Sequence, residues 1–146
     1  MTASLPTATN TAAALPQMLP PCPNARLALF AMRRMGAHGL ADARAAHVLF
    51  TAFGQGFRRP LVLMRALMAD LAGTAAGTIA IAPCCCSRMT HAEAALLSVV
   101  ARVETRPDNA RLLLADLLGI ARVDGVLASA AAVAAAFADE GRPVIA

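Results

Sequence analysis

The sequence predicts an all-α fold, namely a compact bundle of about six helices that follows a disordered N-terminal tail. Apolar residues recur every three or four positions from residue 25 onward, and a glycine follows most of these apolar stretches. Alternating apolar and polar runs, which are typical of strands, are nearly absent. With 58% hydrophobic and 15% charged residues, the chain has ample apolar surface for a core, which excludes a charge-rich disordered protein.

The tail is predicted to comprise residues 1–21, and a single helical domain is expected over 22–146. Thr, Ala and Pro dominate the N-terminal stretch, a composition that favours a flexible segment with polyproline character. The first basic residue is Arg26, so the positive region that opens a secretory signal is missing. We therefore expect a cytoplasmic protein whose cysteines are thiols.

The first three helices are predicted over 25–35, 41–53 and 60–72. Asn24 can cap the first helix, and Gly36 ends it. Asp42 lies in the first turn of the second helix, and Pro60 suits the first turn of the third. A solvated loop should separate the second helix from the third, and residues 78–81 should form a short extended piece.

The last three helices are predicted over 91–104, 108–119 and 125–140. Thr90 and Glu93 form the pattern of a capping box, in which each side chain accepts a hydrogen bond from the backbone of the other residue. The apolar faces of the six helices should meet in one core. The residues expected to be mostly buried there are Phe30, Leu49, Leu67, Leu96, Val100, Leu114, Leu117, Val133 and Phe137.

Three consecutive cysteines precede the fourth predicted helix, and thiolates bind soft or borderline metals. In an extended segment Cys84 and Cys86 point the same way, so they are candidate ligands for zinc or another thiophilic metal. Cys22 and His91 are the partners we assign to them. The sequence contains no C-x-x-C pair, so its spacing is unlike that of a zinc ribbon or a ferredoxin.

Two other interpretations of the cysteine run stay open. A reactive thiol is one, because a nearby helix N-terminus and Arg88 would both favour the thiolate of Cys86. The other is that the cysteines are small buried apolar residues that fill a loop.

A glycine-rich segment before the third helix forms a second candidate site, for an anion. Two arginines at a helix N-terminus oppose the helix dipole, so an acidic neighbour, an anionic ligand or an acidic partner should compensate them. Free backbone N–H groups at such a position also suit a phosphate, although the segment matches no phosphate-binding motif. The candidate anion-binding residues are Gly54, Gly56, Arg58 and Arg59.

Four stretches of the sequence resemble a domain-of-unknown-function family of small alphaproteobacterial proteins. They are residues 24–26, 33–36, 53–60 and, most distinctively, Ala82-Pro83-Cys84-Cys85-Cys86-Ser87-Arg88-Met89-Thr90. The similarity covers about residues 22–140. It implies a bacterial cytoplasmic origin and supplies no activity and no catalytic residue.

The function that these observations favour is an interaction or regulatory module that acts by binding, with a protein partner or a second copy of the chain. A metal- or redox-responsive protein that uses Cys84 and Cys86, and a helical DNA-binding regulator, are the alternatives.

Nucleic-acid binding is not expected, because the net charge is only +4 and the sequence contains no Trp or Tyr. No acid–base pair or nucleophile motif is found, which favours a protein that is not an enzyme. No membrane span is expected, because glycine and proline interrupt the uncharged stretch at 71–87.

Overall fold

A computed structural model describes residues 17–146, and these residues are mostly helical, as predicted. They contain five continuous helical segments. The helices are α1 (Pro23–His38), α2 (Ala43–Phe53), α3 (Arg58–Thr74), α4 (His91–Arg102), α5 (Pro107–Leu118) and α6 (Asp124–Asp139), of which α2 and α3 belong to one segment. None of these helices is both long enough and apolar enough to cross a membrane.

The expectation of six separate helices is wrong, because residues 54–57 are not a loop. They form a 3-10 turn (Gly54–Phe57) that joins α2 directly to α3. Gly54 ends α2 with a positive φ of 62°, which a glycine adopts without strain. The ring of Phe57 then packs edge-on against Phe50, with 5.2 Å between the ring centroids, and this contact holds the turn against α2.

The described chain begins with a strand that the sequence did not predict. Strand β1 (Gln17–Met18) pairs antiparallel with β2 (Arg88–Met89), with Gln17 opposite Met89. Next along the chain Pro20 is buried, and its carbonyl accepts a hydrogen bond from Nε of Arg26 at 2.6 Å. Residues 17 and 18 thus have regular structure within the stretch expected to be a flexible tail, while residues 1–16 lie outside the described part of the chain, and the boundary at residue 21 stays a prediction.

The core lies where α3 packs against α6, α4 against α5, and α1 against α2. Seven of the nine predicted core residues are buried, and the prediction is wrong for two, because Phe30 and Leu117 are only half-buried. In α1 the core positions belong to residues such as Leu29 and Met32, and Phe30 lies beside them. In α5 it is Leu118, not Leu117, that is buried.

The ends of the helices agree with the sequence only in part, because Asp42, expected in the first turn of α2, precedes that helix, and α1 continues through Gly36 to His38. The carboxylate of Asp42 caps α2 by accepting a hydrogen bond from the backbone N of Ala45 at 2.9 Å. Both hydrogen bonds of the predicted capping box open α4. Asn24 does not cap α1, which begins one residue earlier, and its side chain donates to the carbonyl of Pro143 at 3.0 Å. The predicted extended piece at 78–81 pairs with no strand among the described residues.

The first prediction concerns Phe137, which is completely buried and packs edge-on against Phe53 with 5.0 Å between the ring centroids. We expect Phe137→Ala to lower the free energy of unfolding by about 3–5 kcal/mol, because it removes a buried ring and leaves a cavity. Phe50→Ala is the matched control, since the 44% exposed Phe50 should cost less than about 1.5 kcal/mol. Urea denaturation of both variants measures the difference, and equal losses would contradict the prediction.

The second prediction concerns the acid stability that Asp42 confers. Hydrogen bonds from Arg34 lower the pKa of Asp42 from 3.8 to about 2; partial burial opposes this shift, and the backbone N–H of Ala45 adds to it. A carboxylate whose pKa is lower in the folded state stabilises the fold above its ordinary pKa, and loses that effect as the pH falls through the folded value.

We therefore expect Asp42→Asn to melt at a lower temperature than the parent protein near neutral pH. The difference should shrink as the pH falls from about 4 towards 2. Thermal melts across this pH range measure it, with Asp116→Asn, an exposed aspartate on α5, as the control. A difference in melting temperature that stays constant down to pH 2 would show that the lowered pKa of Asp42 is not the source of this stability.

Candidate functional site

The loop that carries the three consecutive cysteines lies between α3 and α4, and we call residues 82–90 the thiol loop. Cys84 and Cys85 are exposed, Cys86 is half-buried, and all three are free thiols. The backbone N of Cys86 donates to the carbonyl of Pro83 at 3.1 Å. The cysteine run therefore forms a turn, so the alternation of side chains in an extended segment does not apply to Cys84 and Cys86.

A buried ion pair lies directly beneath the thiol loop. Nε of Arg33 lies 2.8 Å from Oε2 of Glu93, and Nη2 of Arg33 lies 3.0 Å from Oε1. Arg33 is 3% exposed and Glu93 is completely buried. Two parallel hydrogen bonds of this kind fix the relative orientation of the two side chains, and therefore of α1 and α4.

The same two side chains hold the backbone of the loop. Nη1 of Arg33 donates to the carbonyl of Cys86 and Nη2 to that of Arg88, each at 2.8 Å. Glu93 accepts from the backbone N of Ala82 at 3.1 Å and from that of Thr90 at 2.9 Å. Four backbone atoms of the thiol loop are thus bound to one ion pair.

The electrostatics of the pair favour a permanently charged arginine. The pKa of the Arg33 guanidinium is raised, first by its hydrogen bonds to Glu93, while burial acts in the opposite direction. Proximity to Cys86 and Cys84 also raises it. The cationic group and these two sulfur atoms are therefore close enough to interact.

Cys84 and Cys86 line a small pocket of about 140 Å³, which we call the thiol pocket. The pocket also includes the side chains of Arg26, Arg33 and Phe30. Outside it, the pKa of Arg34 is raised mainly by its hydrogen bonds to Asp42, and a hydrogen bond with Cys84 adds to this effect. Cys84 therefore lies among the guanidinium groups of several arginines.

The structure brings together only two of the four predicted metal ligands, Cys84 and Cys86. Cys22 precedes α1 and its sulfur lies 4.0 Å from the carbonyl of Pro143, whereas His91 is exposed at the start of α4. Neither lines the thiol pocket. Among residues 17–146, no three His, Cys, Asp or Glu side chains are placed to hold a metal ion. The zinc assignment therefore stays a prediction.

Cys22 is a separate thiol with its own environment. Burial raises its pKa, but hydrogen bonds from the backbone N–H groups of Ala25, Ile145 and Asn24 outweigh burial, so the pKa lies below its usual value. This is the effect expected of a sulfur at a helix N-terminus. Cys22 must be removed before the reactivity of the loop thiols can be compared.

The four candidate anion-binding residues do lie together where the 3-10 turn meets α3. Nη1 of Arg59 pairs with Oδ2 of Asp139 at 2.6 Å, and the carboxylate of Glu140 lies so close to Gly56 that a Cβ there would clash with it. The guanidinium of Arg58 lies 6.0 Å from the centroid of the Phe57 ring. An acidic neighbour, the first of the three expected sources of compensation, is therefore present at this helix end, and an anion site stays a prediction.

The sequence analysis did not predict that Arg33 binds the backbone of the thiol loop. The sequence does indicate that Arg33 is buried, because Arg33 follows Leu29 by four positions and so lies on the apolar face of α1. An arginine on such a face is almost never buried unless it is paired, and this requires an acidic partner elsewhere in the fold. Glu93 was recognised only as part of the capping box.

Comparison with known proteins gives one match. The model of a family of unknown function (DUF6628) matches residues 7–106, which is more than half of the chain and includes Arg33, Glu93 and the whole thiol loop. The match begins earlier and ends earlier than the expected 22–140. No curated protein and no solved structure matches the chain.

The third prediction tests the ion pair. Glu93→Gln should lower the free energy of unfolding by about 3–5 kcal/mol, because it leaves the Arg33 charge buried without a counter-charge. Replacing both residues by apolar ones, in Arg33→Met/Glu93→Leu, should cost less than the sum of the single changes Arg33→Met and Glu93→Leu. Chemical denaturation of the parent protein, these two single variants and the double variant gives the coupling, and the exposed Glu104→Gln is the control. Strictly additive losses would show that the pair is not coupled.

Proposed function

We propose a thiol-responsive regulatory function, exerted by binding, for this chain, which belongs to the family of unknown function DUF6628. The responsive element is the thiol loop. The observation that carries the proposal is the buried Arg33–Glu93 pair, which fixes the loop so that Cys84 and Cys86 share one pocket with cationic side chains.

The surroundings of Cys84 suit a nucleophilic thiol. Its side chain is exposed, so that a reagent can reach it, and the guanidinium of Arg34 lies near it. The thiolate is the reactive form of cysteine, and nearby cations stabilise it. Cys85 is equally an exposed thiol but does not line the thiol pocket, so it provides a comparison within the same loop.

Modification of Cys86 would be transmitted to the core through its own backbone. The thiol pocket of about 140 Å³ is too small to hold a bulky adduct as well as the present side chains. An adduct would therefore displace Cys86, whose carbonyl is a hydrogen-bond acceptor for Arg33. Because an unsatisfied buried donor on a charged group is costly, the loop and the pair would rearrange together.

A protein partner or a second copy of the chain is the binding target that fits this element. Met18 is 74% exposed and lies opposite Arg88 in the small sheet, directly beside the thiol loop. The edge of a sheet is a place where an extended segment of a partner can add as a further strand. A change in the conformation of the loop would alter this surface, since β2 is part of the loop.

The fourth prediction is a difference in reactivity between loop thiols. Three single-thiol variants, which keep Cys84, Cys85 or Cys86 and have serine at the other three cysteines, are treated with iodoacetamide at neutral pH. Intact-mass spectrometry gives each rate. We expect Cys84 to react at least about threefold faster than Cys85, because Cys84 lines a pocket with Arg26 and Arg33 and lies near Arg34, whereas Cys85 lies outside this pocket.

Arg34→Gln in the variant that keeps Cys84 should remove most of this advantage. Arg44→Gln, an exposed arginine on α2, is the matched control and should leave the rate unchanged. Circular dichroism verifies that both variants are folded, since Arg34 also pairs with Asp42. Equal rates at Cys84 and Cys85, with no response to Arg34→Gln, would refute the proposal.

A further inference from the structure

We propose that an apolar cleft between α1, α3 and the segment 77–83 is the binding site for a small, uncharged, mainly apolar molecule. The cleft has a volume of about 440 Å³, within the range of about 300–1,000 Å³ that small-molecule sites occupy. It does not include the cysteines, so the inference is independent of any thiol chemistry.

The lining of the cleft defines the chemical class of the ligand. Its walls are apolar side chains, namely those of Met68, Leu71, Ile79, Ile81 and Leu96. Arg33 is the one charged residue in the lining, and its charge is already neutralised by Glu93. An ionised ligand would find no free counter-charge in this lining and would lose its hydration, which disfavours charged molecules. Thr78 supplies a single hydroxyl for a polar group at one end.

The rim of the cleft leaves an entrance. Ala37 on α1 and Ala72 on α3 are small residues that line the cleft and are exposed to solvent, so they lie at its rim. The third wall of the cleft is held at residues 76 and 80. The backbone N of Ala76 donates to the carbonyl of Leu118 at 2.9 Å, and Oγ1 of Thr90 donates to the carbonyl of Ala80 at 2.7 Å. Residues 77–79 lie between these fixed points without regular structure, so this wall can adjust to a ligand.

The experiment titrates the reduced full-length protein with N-phenyl-1-naphthylamine, an uncharged apolar fluorophore. Ala72→Leu and Ala37→Leu each place a larger side chain at the rim while keeping a residue of high helix propensity. Ala66→Leu is the matched control, because Ala66 is an exposed alanine on the same helix α3 and does not line the cleft. Thermal melts confirm that all three variants are folded.

We expect saturable binding of one probe per chain, weakened at least about tenfold by each rim variant and by less than about twofold by Ala66→Leu. The anionic analogue 1-anilinonaphthalene-8-sulfonate should bind more weakly than the neutral probe. Binding that does not saturate, that survives both rim variants, or that favours the anionic analogue would overturn the inference. Because no cysteine is altered, these results leave the thiol-responsive function untouched.

Discussion

The buried pair of Arg33 and Glu93 is the constraint on which the rest of this structure depends. A buried ion pair repays its desolvation only when its remaining donors and acceptors are also satisfied. Here the two side chains meet that demand by binding backbone atoms of the thiol loop. The loop, in which Ala82, Met89 and Thr90 are the buried residues, is also held by its backbone hydrogen bonds to the pair. The pair in turn joins α1 to α4, so that loop, helices and charge are interdependent.

Arg33 also lies at the boundary between two cavities. It lines the apolar cleft on one side and the thiol pocket on the other. Two consecutive residues of the chain line different cavities, since Pro83 lines the cleft and Cys84 lines the thiol pocket. A displacement of this segment therefore changes both cavities at once. By linkage, a ligand that favours one position of the segment would shift the equilibrium for reversible modification of the thiols, and that modification would change the affinity for the ligand by the same free energy.

The sequence predicts features that depend on residues close together in the chain, and it does not predict pairs of residues that lie far apart in it. Helices and the capping box of Thr90 and Glu93 arise from contacts three or four residues apart, and the mostly helical class is accordingly confirmed. The ion pairs of Arg33 with Glu93 and of Arg59 with Asp139 join residues 60 and 80 positions apart. Nothing in a local pattern specifies such partners. The strand pairing of Gln17 with Met89 involves backbone hydrogen bonds, which leave no trace in the apolar periodicity.

The residues that the family model matches and the C-terminal helices beyond them contribute differently to the candidate sites. Arg33, Glu93, the thiol loop and the whole lining of the cleft lie within the residues that the family model matches, whereas α5 and α6 lie beyond them. These two helices nevertheless supply core residues, including Leu114 and Phe137, and the carbonyl of Leu118 fixes the start of the cleft wall at Ala76. Residues 7–106 alone would expose the face of α3 that packs against α6. The matched part therefore carries the candidate chemistry, while the C-terminal helices give it a stable core.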